Sequence, residues 1–287
     1  MVLFNRISSG LWACGALLTL TFIAFSSYGN AIDVNEAGVE GRLETTQAPL
    51  RGAVLILHGF NDDLDGVAGL QKQQAQALAE LGIVSLRINF RGEGQRNAYR
   101  VTSTVTSRLE DTRAAYQYLN RTYPDLPKGV LGWSLGGMTA MLIAGQEPDW
   151  FQTMVLWSAA GSGAGLLVST SDASYNNAAR SAIETGEAQW QSWTKMTLTD
   201  KFLLSFVGVD VQDNLGRYPG ELLSIRGTDD YLPALESQWL ALLTNDRKMA
   251  LSIGGADHIF NVLGPNASHA ESVIEATSNW FDRSFSQ

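Results

Sequence analysis

The run Gly132-Trp133-Ser134-Leu135-Gly136 sets a serine between two small residues. Val130-Leu131 before it is a short apolar run, and Met138 to Ala144 after it is small and apolar, so Ser134 falls where a strand turns into a helix. The setting matters because a serine hydroxyl is a weak nucleophile. It must be held clear of a sheet, beside a base, with backbone N–H groups aimed at the developing oxyanion. Small residues at 132 and 136 permit the sharp turn that does this. The chemistry would be acyl transfer, and it needs a base, an acid to orient that base and a second oxyanion donor.

Elements able to position such groups alternate along the chain. Ala53 to Leu57 is a fully apolar run of strand length that ends at His58-Gly59-Phe60. Leu70, Ala77, Leu78 and Leu81 follow at helical spacing, Gly82 breaks the helix, and Ile83 to Phe90 is a second apolar run. Arg91-Gly92-Glu93-Gly94 makes a turn, and Arg108 to Asn120 has Leu109, Ala115, Tyr116 and Leu119 on one helical face before Pro124 and Pro127. After the serine strand and its helix, strands are predicted at Met154 to Trp157, Glu221 to Ile225 and Met249 to Ile253, with a last helix from Ser268 to Phe281. The polar stretch from Ala31 to Gln47 has room for one or two short strands around Val39 to Thr45. Strands alternating with amphipathic helices mean βαβ units, hence one α/β domain with a mostly parallel central sheet and helices on both faces. Gly161 to Pro219, which contains Trp190 and Trp193, is too long for a plain connection. It predicts a mostly helical cap over the carboxyl ends of the strands, where open α/β sheets place ligands.

From about residue 50 to its end the chain resembles the α/β-hydrolase superfamily, in particular bacterial serine esterases of the feruloyl-esterase and serine-aminopeptidase type. The resemblance is carried by Gly132 to Gly136, by His58-Gly59-Phe60 after the first apolar strand, and by Asn89-Phe90-Arg91-Gly92-Glu93-Gly94 after the next. It implies an α/β-hydrolase fold with an inserted cap, an oxyanion loop supported by His58, and oxyanion donors at the backbone N–H groups of Phe60 and Leu135. His258 is the expected base: it follows the strand Met249 to Ile253 through the loop Gly254-Gly255-Ala256-Asp257 and completes the chain order Ser, Asp, His. The family form places the acid three residues after a glycine, which selects Asp230 in Gly227-Thr228-Asp229-Asp230. Asp229 stays open, because Pro233 lies four residues after it. Trp133, Phe60 and the cap tryptophans are expected to offer an apolar substrate-binding surface. Asp257 is taken as a loop-forming residue and His269 as a solvated residue near a helix start. Asp62, Asp63 and Asp65 lack the spacing of a calcium loop and are taken as a solvated loop. Glu110-Asp111 is expected near the positive end of a helix.

Length and composition, 287 residues with 45% hydrophobic and 17% charged, allow a sizeable core. Arg6, the apolar stretch from Leu11 to Phe25 and Gly29-Asn30-Ala31 read as an export signal cleaved after Ala31, which leaves residues 32–287 as a single mature domain, periplasmic or secreted. Because the apolar stretch falls short of the ~20 residues that span a bilayer, no stable membrane insertion is expected after cleavage. The one cysteine, Cys14, lies inside that segment, so the mature chain has no disulfide and no thiol nucleophile. Cleavage removes one basic residue and no acid, giving a net charge of −10, which disfavours nucleic acid as a partner. The expectation is an exported serine hydrolase that cleaves carboxylic esters of small to medium acyl or aryl groups, with no cofactor and no metal. A peptidase or amidase of the same fold, or a binding protein that kept the fold without catalysis, are the alternatives.

Overall fold

The computed structural model describes residues 28–161, 163, 167, 172–265 and 268–286. The expected export segment up to residue 27, and most of 162–171 in the expected cap, lie outside them.

Eight strands form the central sheet: β1 (Tyr28–Glu36), β2 (Val39–Thr46), β3 (Gly52–Leu57), β4 (Ile83–Ile88), β6 (Lys128–Trp133), β7 (Thr153–Trp157), β10 (Glu221–Gly227) and β11 (Lys248–Ile253), in the spatial order β1-β2-β4-β3-β6-β7-β10-β11. From β4 to β11 all neighbours are parallel, and β2 runs against both β1 and β4. Parallel neighbours need crossovers, which the helices α1 (Leu70–Glu80), α2 (Val105–Thr122), α3 (Leu135–Gln146), α7 (Glu236–Leu242) and α8 (Ser268–Ser284) cover or complete.

Every residue of β3, β4, β6, β7 and β10 is buried, as strands covered on both faces must be. Alternate residues feed two cores. Leu55, Val130, Met154 and Leu222 pack with α2 and α3, whereas Ile56, Leu131, Val155 and Leu223 pack with α1 and α8. The strands and helices predicted from periodicity are present, with ends shifted by a few residues. Two elements differ. β1 takes up the room for a second strand in the stretch before Gln47, but it lies ahead of Val39 and begins at Tyr28, upstream of the expected cleavage point; its pairs from Ile32↔Leu43 to Glu36↔Val39 lie beyond that point.

The cap departs further from expectation. Helix is the larger part of its described residues, in α4 (Ala173–Thr185) and the short helices α5 (Asp200–Leu204) and α6 (Val211–Gly216), but between α4 and α5 stands an antiparallel hairpin of β8 (Glu187–Gln191) and β9 (Lys195–Thr199) that was not expected. The cause is a period-two pattern. Ala188 and Trp190 turn inward between Glu187, Gln189 and Gln191, which point to solvent. β9 also pairs in parallel with β5 (Arg100–Val101), a two-residue strand of the main domain, so the hairpin is anchored outside the cap.

Loops at the carboxyl ends of β3, β6, β10 and β11 carry His58 to Asn61, Ser134, Asp230 and His258. They are held from below by α8, whose Phe281 ring is fully buried against β6. Gly129 makes room for it, since a Cβ there would stand 2.6 Å from Phe281 Cε1. Phe281→Ala is therefore expected to cost about 3–5 kcal/mol in urea unfolding; a loss below about 1 kcal/mol would mean that α8 does not dock as described.

Candidate active site

Ser134 sits between β6 and α3 with φ 53° and ψ −116°, a backbone conformation that non-glycine residues rarely adopt. Its neighbours over-determine it. The Ser134 N–H donates to Trp157 O at 2.8 Å, and Ser134 O accepts from Ala160 N–H at 2.9 Å and Gly137 N–H at 3.0 Å. Side chains at 132 and 136 would prevent the turn, since a Cβ on Gly132 would collide with Gly136 O and one on Gly136 with Leu57 O.

Ser134 Oγ lies 3.0 Å from His258 Nε2, and His258 Nδ1 lies 2.9 Å from Asp230 Oδ1. The Asp230 side chain is 1% exposed and also accepts the Leu232 N–H at 2.9 Å. Burial alone would raise the Asp230 carboxyl, but the hydrogen bond and charge of His258 outweigh it and hold the group below the usual carboxylate range. Of the two carboxylates left open by sequence, Asp230 meets the imidazole, whereas Asp229 is exposed and, among the described residues, accepts only from the hydroxyl of its neighbour Thr228. Asp257 shapes the histidine loop, as its Oδ1 accepts from Ile259 N–H at 3.0 Å and Asn261 N–H at 2.7 Å. His269 is not merely a solvated residue: its Nδ1 lies 2.8 Å from Asn261 Oδ1 and braces that same loop.

The loop after β3 is held by a buried network. Phe90 N–H donates to His58 Nε2 at 3.1 Å, so the ring proton sits on Nδ1 and is donated to Gly59 O at 2.7 Å. Gly59 C=O and Phe60 N–H share one rigid peptide plane, so His58 aims the Phe60 N–H. Burial lowers the His58 pKa to about 4, which keeps the ring neutral and this tautomer fixed. Beneath it, Arg108 pairs with Glu93 and donates to His58 O at 2.9 Å and Thr139 Oγ1 at 3.0 Å, with its guanidinium 3.6 Å from the Phe90 ring centroid. Among the described residues no hydrogen bond uses the N–H of Phe60 or of Leu135, the first residue of α3, and both remain available to an oxyanion.

Several expectations need correction. Trp133 is 7% exposed, and its indole N–H donates to His258 O at 3.2 Å, so it supports the histidine loop and does not line a substrate surface. Phe60 does meet the cap tryptophans, with ring centroids 6.4 Å from Trp190 and 6.1 Å from Trp193, and Phe202 lies closer at 5.3 Å. α2 begins at Val105, so Glu110 and Asp111 are in its second turn; Asp111 is fully buried and takes the Arg91 N–H at 2.9 Å and its Nε at 2.6 Å. Asp65 is not simply solvated, because it accepts from buried Arg87 at 2.6 Å. Glu93 and Arg108 were missed as site residues; the one signal was two opposite charges flanking a strand-end turn and a helix start. Among the described residues no group of three or more His, Cys, Asp or Glu side chains is placed to hold a metal ion.

Known proteins with related sequences or folds agree with this architecture. The family model described as serine aminopeptidase, S33, matches residues 48–194, just over half of the chain. A monoacylglycerol lipase of Mycolicibacterium smegmatis is 29% identical over 107 residues, covering 37% of this chain and 37% of that protein. A monoglyceride lipase of Mus musculus is 28% identical over 109 residues, covering 38% and 35%. The match thus spans little more than a third of either lipase. Among solved structures, Est1E from Butyrivibrio proteoclasticus with ferulic acid bound has a TM-score of 0.70 at 18% identity over 90% of this chain and 100% of that one. The Paleococcus ferrophilus monoacylglycerol lipase has a TM-score of 0.62 at 18% identity over 86% and 99%. At such identities the likeness shows the α/β-hydrolase fold.

Asp62, two residues after Phe60, carries an Oδ2 that is sealed from solvent with no hydrogen-bond partner among the described residues. Burial pushes its carboxyl up to about 7. Because the folded pKa lies above the unfolded value of ~3.9, the folded state holds this proton more tightly. Its contribution to stability is complete below about pH 4 and is lost as pH rises through about 7. Asp62→Asn removes that loss. Its advantage over wild type in chemical denaturation should open between about pH 4 and 7, by up to ~1.4 kcal/mol per pH unit, and stay flat above. A difference that does not change with pH would show that Asp62 ionises freely.

Proposed function

The chain belongs to the serine aminopeptidase S33 family of α/β hydrolases, and we propose that it is a serine hydrolase that cleaves carboxylic esters through an acyl-enzyme on Ser134. The observation that carries this reading is the hydrogen-bonded chain from Asp230 through His258 to Ser134, at 2.9 and 3.0 Å. His258 Nε2 takes the hydroxyl proton as Ser134 Oγ attacks the acyl carbonyl, and the oxyanion is held by the N–H groups of Phe60 and Leu135. The same proton passes to the leaving alkoxide. A water, deprotonated by His258, then attacks the acyl-enzyme and regenerates Ser134, while Asp230 keeps the imidazole tautomer and stabilises its charged form.

Two observations bear on the substrate. Phe60, Trp190, Trp193 and Phe202 form an aromatic wall between the oxyanion loop and the cap, which suits an apolar acyl or aryl group. The relatives by sequence are named as monoacylglycerol and monoglyceride lipases, and Est1E holds ferulic acid. We place the substrate among esters of small to medium acyl or aryl groups. Export to the periplasm or beyond rests on Arg6, the apolar stretch Leu11 to Phe25 and the small residues Gly29 and Ala31.

Three measurements test these assignments. p-Nitrophenyl esters should be turned over and aminoacyl nitroanilides should not. Ser134→Ala should lose fluorophosphonate labelling and on the order of 10⁴-fold or more of the ester activity. Turnover confined to the anilides would instead make the chain an amide hydrolase, and folded wild type that takes no label would remove Ser134 as nucleophile. For export, sequencing the amino terminus of the protein recovered outside the cytoplasm should give Ile32; a retained Met1 would overturn cleavage.

A further inference from the structure

Asn61 follows Phe60 directly, and the oxyanion loop, the turn after β4 and the cap meet on it. Its N–H donates to Glu93 Oε2 at 2.8 Å, and its Oδ1 accepts the Gly94 N–H at 2.8 Å. On the other side its Nδ2 faces Tyr99 O at 3.5 Å and Met196 Sδ, on cap strand β9, at 3.6 Å. The residue is 1% exposed and has φ 52°, a left-handed conformation that asparagine tolerates better than most residues.

The cap end of this contact is itself tied down. Tyr99 O also accepts the Thr197 N–H of β9 at 3.1 Å, so the cap strand and Asn61 share one carbonyl. The β5–β9 pairing continues from there, with Thr199 Oγ1 on Val101 O at 2.6 Å and Arg100 on Glu187 at 2.8 Å. Phe60 is thereby caught between two fixed peptide planes. His58 orients the plane that carries the Phe60 N–H, and Asn61 with Glu93 orients the next one.

We propose that Asn61 is a positioning residue that couples the seating of the cap hairpin to the placement of the Phe60 N–H, so that the cap helps to set the oxyanion site as well as covering it. The proposal rests on the ester-hydrolase reading. It separates Asn61 from residues that only shape the acyl pocket, because an oxyanion donor acts on every ester alike, whereas a pocket residue acts according to the acyl group.

The test uses Asn61→Gly, which keeps the left-handed backbone and removes the side chain, and Met196→Ala, which loosens the contact from the cap side. In the full chain, Asn61→Gly should lower kcat and kcat/KM together by about 10- to 100-fold, with KM changed by less than about twofold. The same factor should appear for p-nitrophenyl acetate and p-nitrophenyl octanoate, and the inhibition constant of a trifluoromethyl ketone should rise in parallel. Met196→Ala should give the same uniform pattern with a smaller factor. Thermal unfolding reports whether each variant is folded; should Asn61→Gly not fold, the Met196→Ala pattern decides. A loss that varies with acyl length, or an unchanged kcat in the folded variants, would overturn the coupling. Wild type that hydrolyses none of these esters would instead overturn the ester-hydrolase reading, so the two failures are told apart.

Discussion

The guanidinium of Arg108 is the constraint on which the rest of the site depends. A cation that is 1% exposed loses several kcal/mol of hydration, and it persists only where its N–H groups find acceptors. Glu93, Thr139 Oγ1 and His58 O supply them, and the Phe90 ring covers one face. These acceptors come from the turn after β4, from α3 and from the end of β3, so one side chain of α2 fixes three segments relative to one another. Burial alone would raise the Glu93 carboxyl, but Arg108 holds it below the usual carboxylate range, and it stays an anion able to receive the Asn61 N–H. A charged pair therefore underlies a loop whose own working groups are neutral amides.

Strain at Ser134 depends on the same kind of over-determination. A non-glycine residue at φ 53° costs ~1–3 kcal/mol, and the hydrogen bonds to Trp157, Ala160 and Gly137 hold it there. The close approach of Gly136 to Leu57 O joins the start of α3 to the end of β3. The serine turn and the oxyanion loop are consequently parts of one packed unit. Across the sheet, Gly227 serves Asp230 and His258 in a similar way, since a Cβ there would collide with Ala256 O, and Asp229 N–H donates to that same oxygen at 2.9 Å. The loops that carry Asp230 and His258 are held against each other by backbone.

What could be read in advance follows from this. Ser134, His258 and the acid pair Asp229-Asp230 are legible because each lies just past an apolar strand and their order along the chain is that of the family, so local pattern and topology agree. The parallel sheet is legible because its strands are buried on both faces and read as unbroken apolar runs. Arg108 and Asp111 are not, because on a helix that starts at a polar boundary a charged residue ordinarily faces water, and their partners Glu93 and Arg91 lie 15 and 20 residues away along the chain. Trp133 misleads for a related reason: its place beside the serine suggests contact with substrate, while its indole N–H is already committed to His258 O. The start of β1 is hidden because residues 28–31 also have the small and polar character of a signal cleavage region.

The hairpin of the cap illustrates a limit of another kind. β5 has two residues, too few to be stable by itself, and it exists because β9 pairs with it from almost a hundred residues away. No window of sequence contains that pairing. Once made, it gives the segment from Asn89 to Val105 contacts on both sides: His58, Asn61 and Leu64 of the oxyanion loop on one, and the cap on the other. Lifting the hairpin as a hinged lid would break the Thr197–Tyr99 and Thr199–Val101 hydrogen bonds and the Arg100–Glu187 pair together. It would also take Trp190 and Trp193 away from Phe60, so the loop after β3 is best ordered with the cap seated.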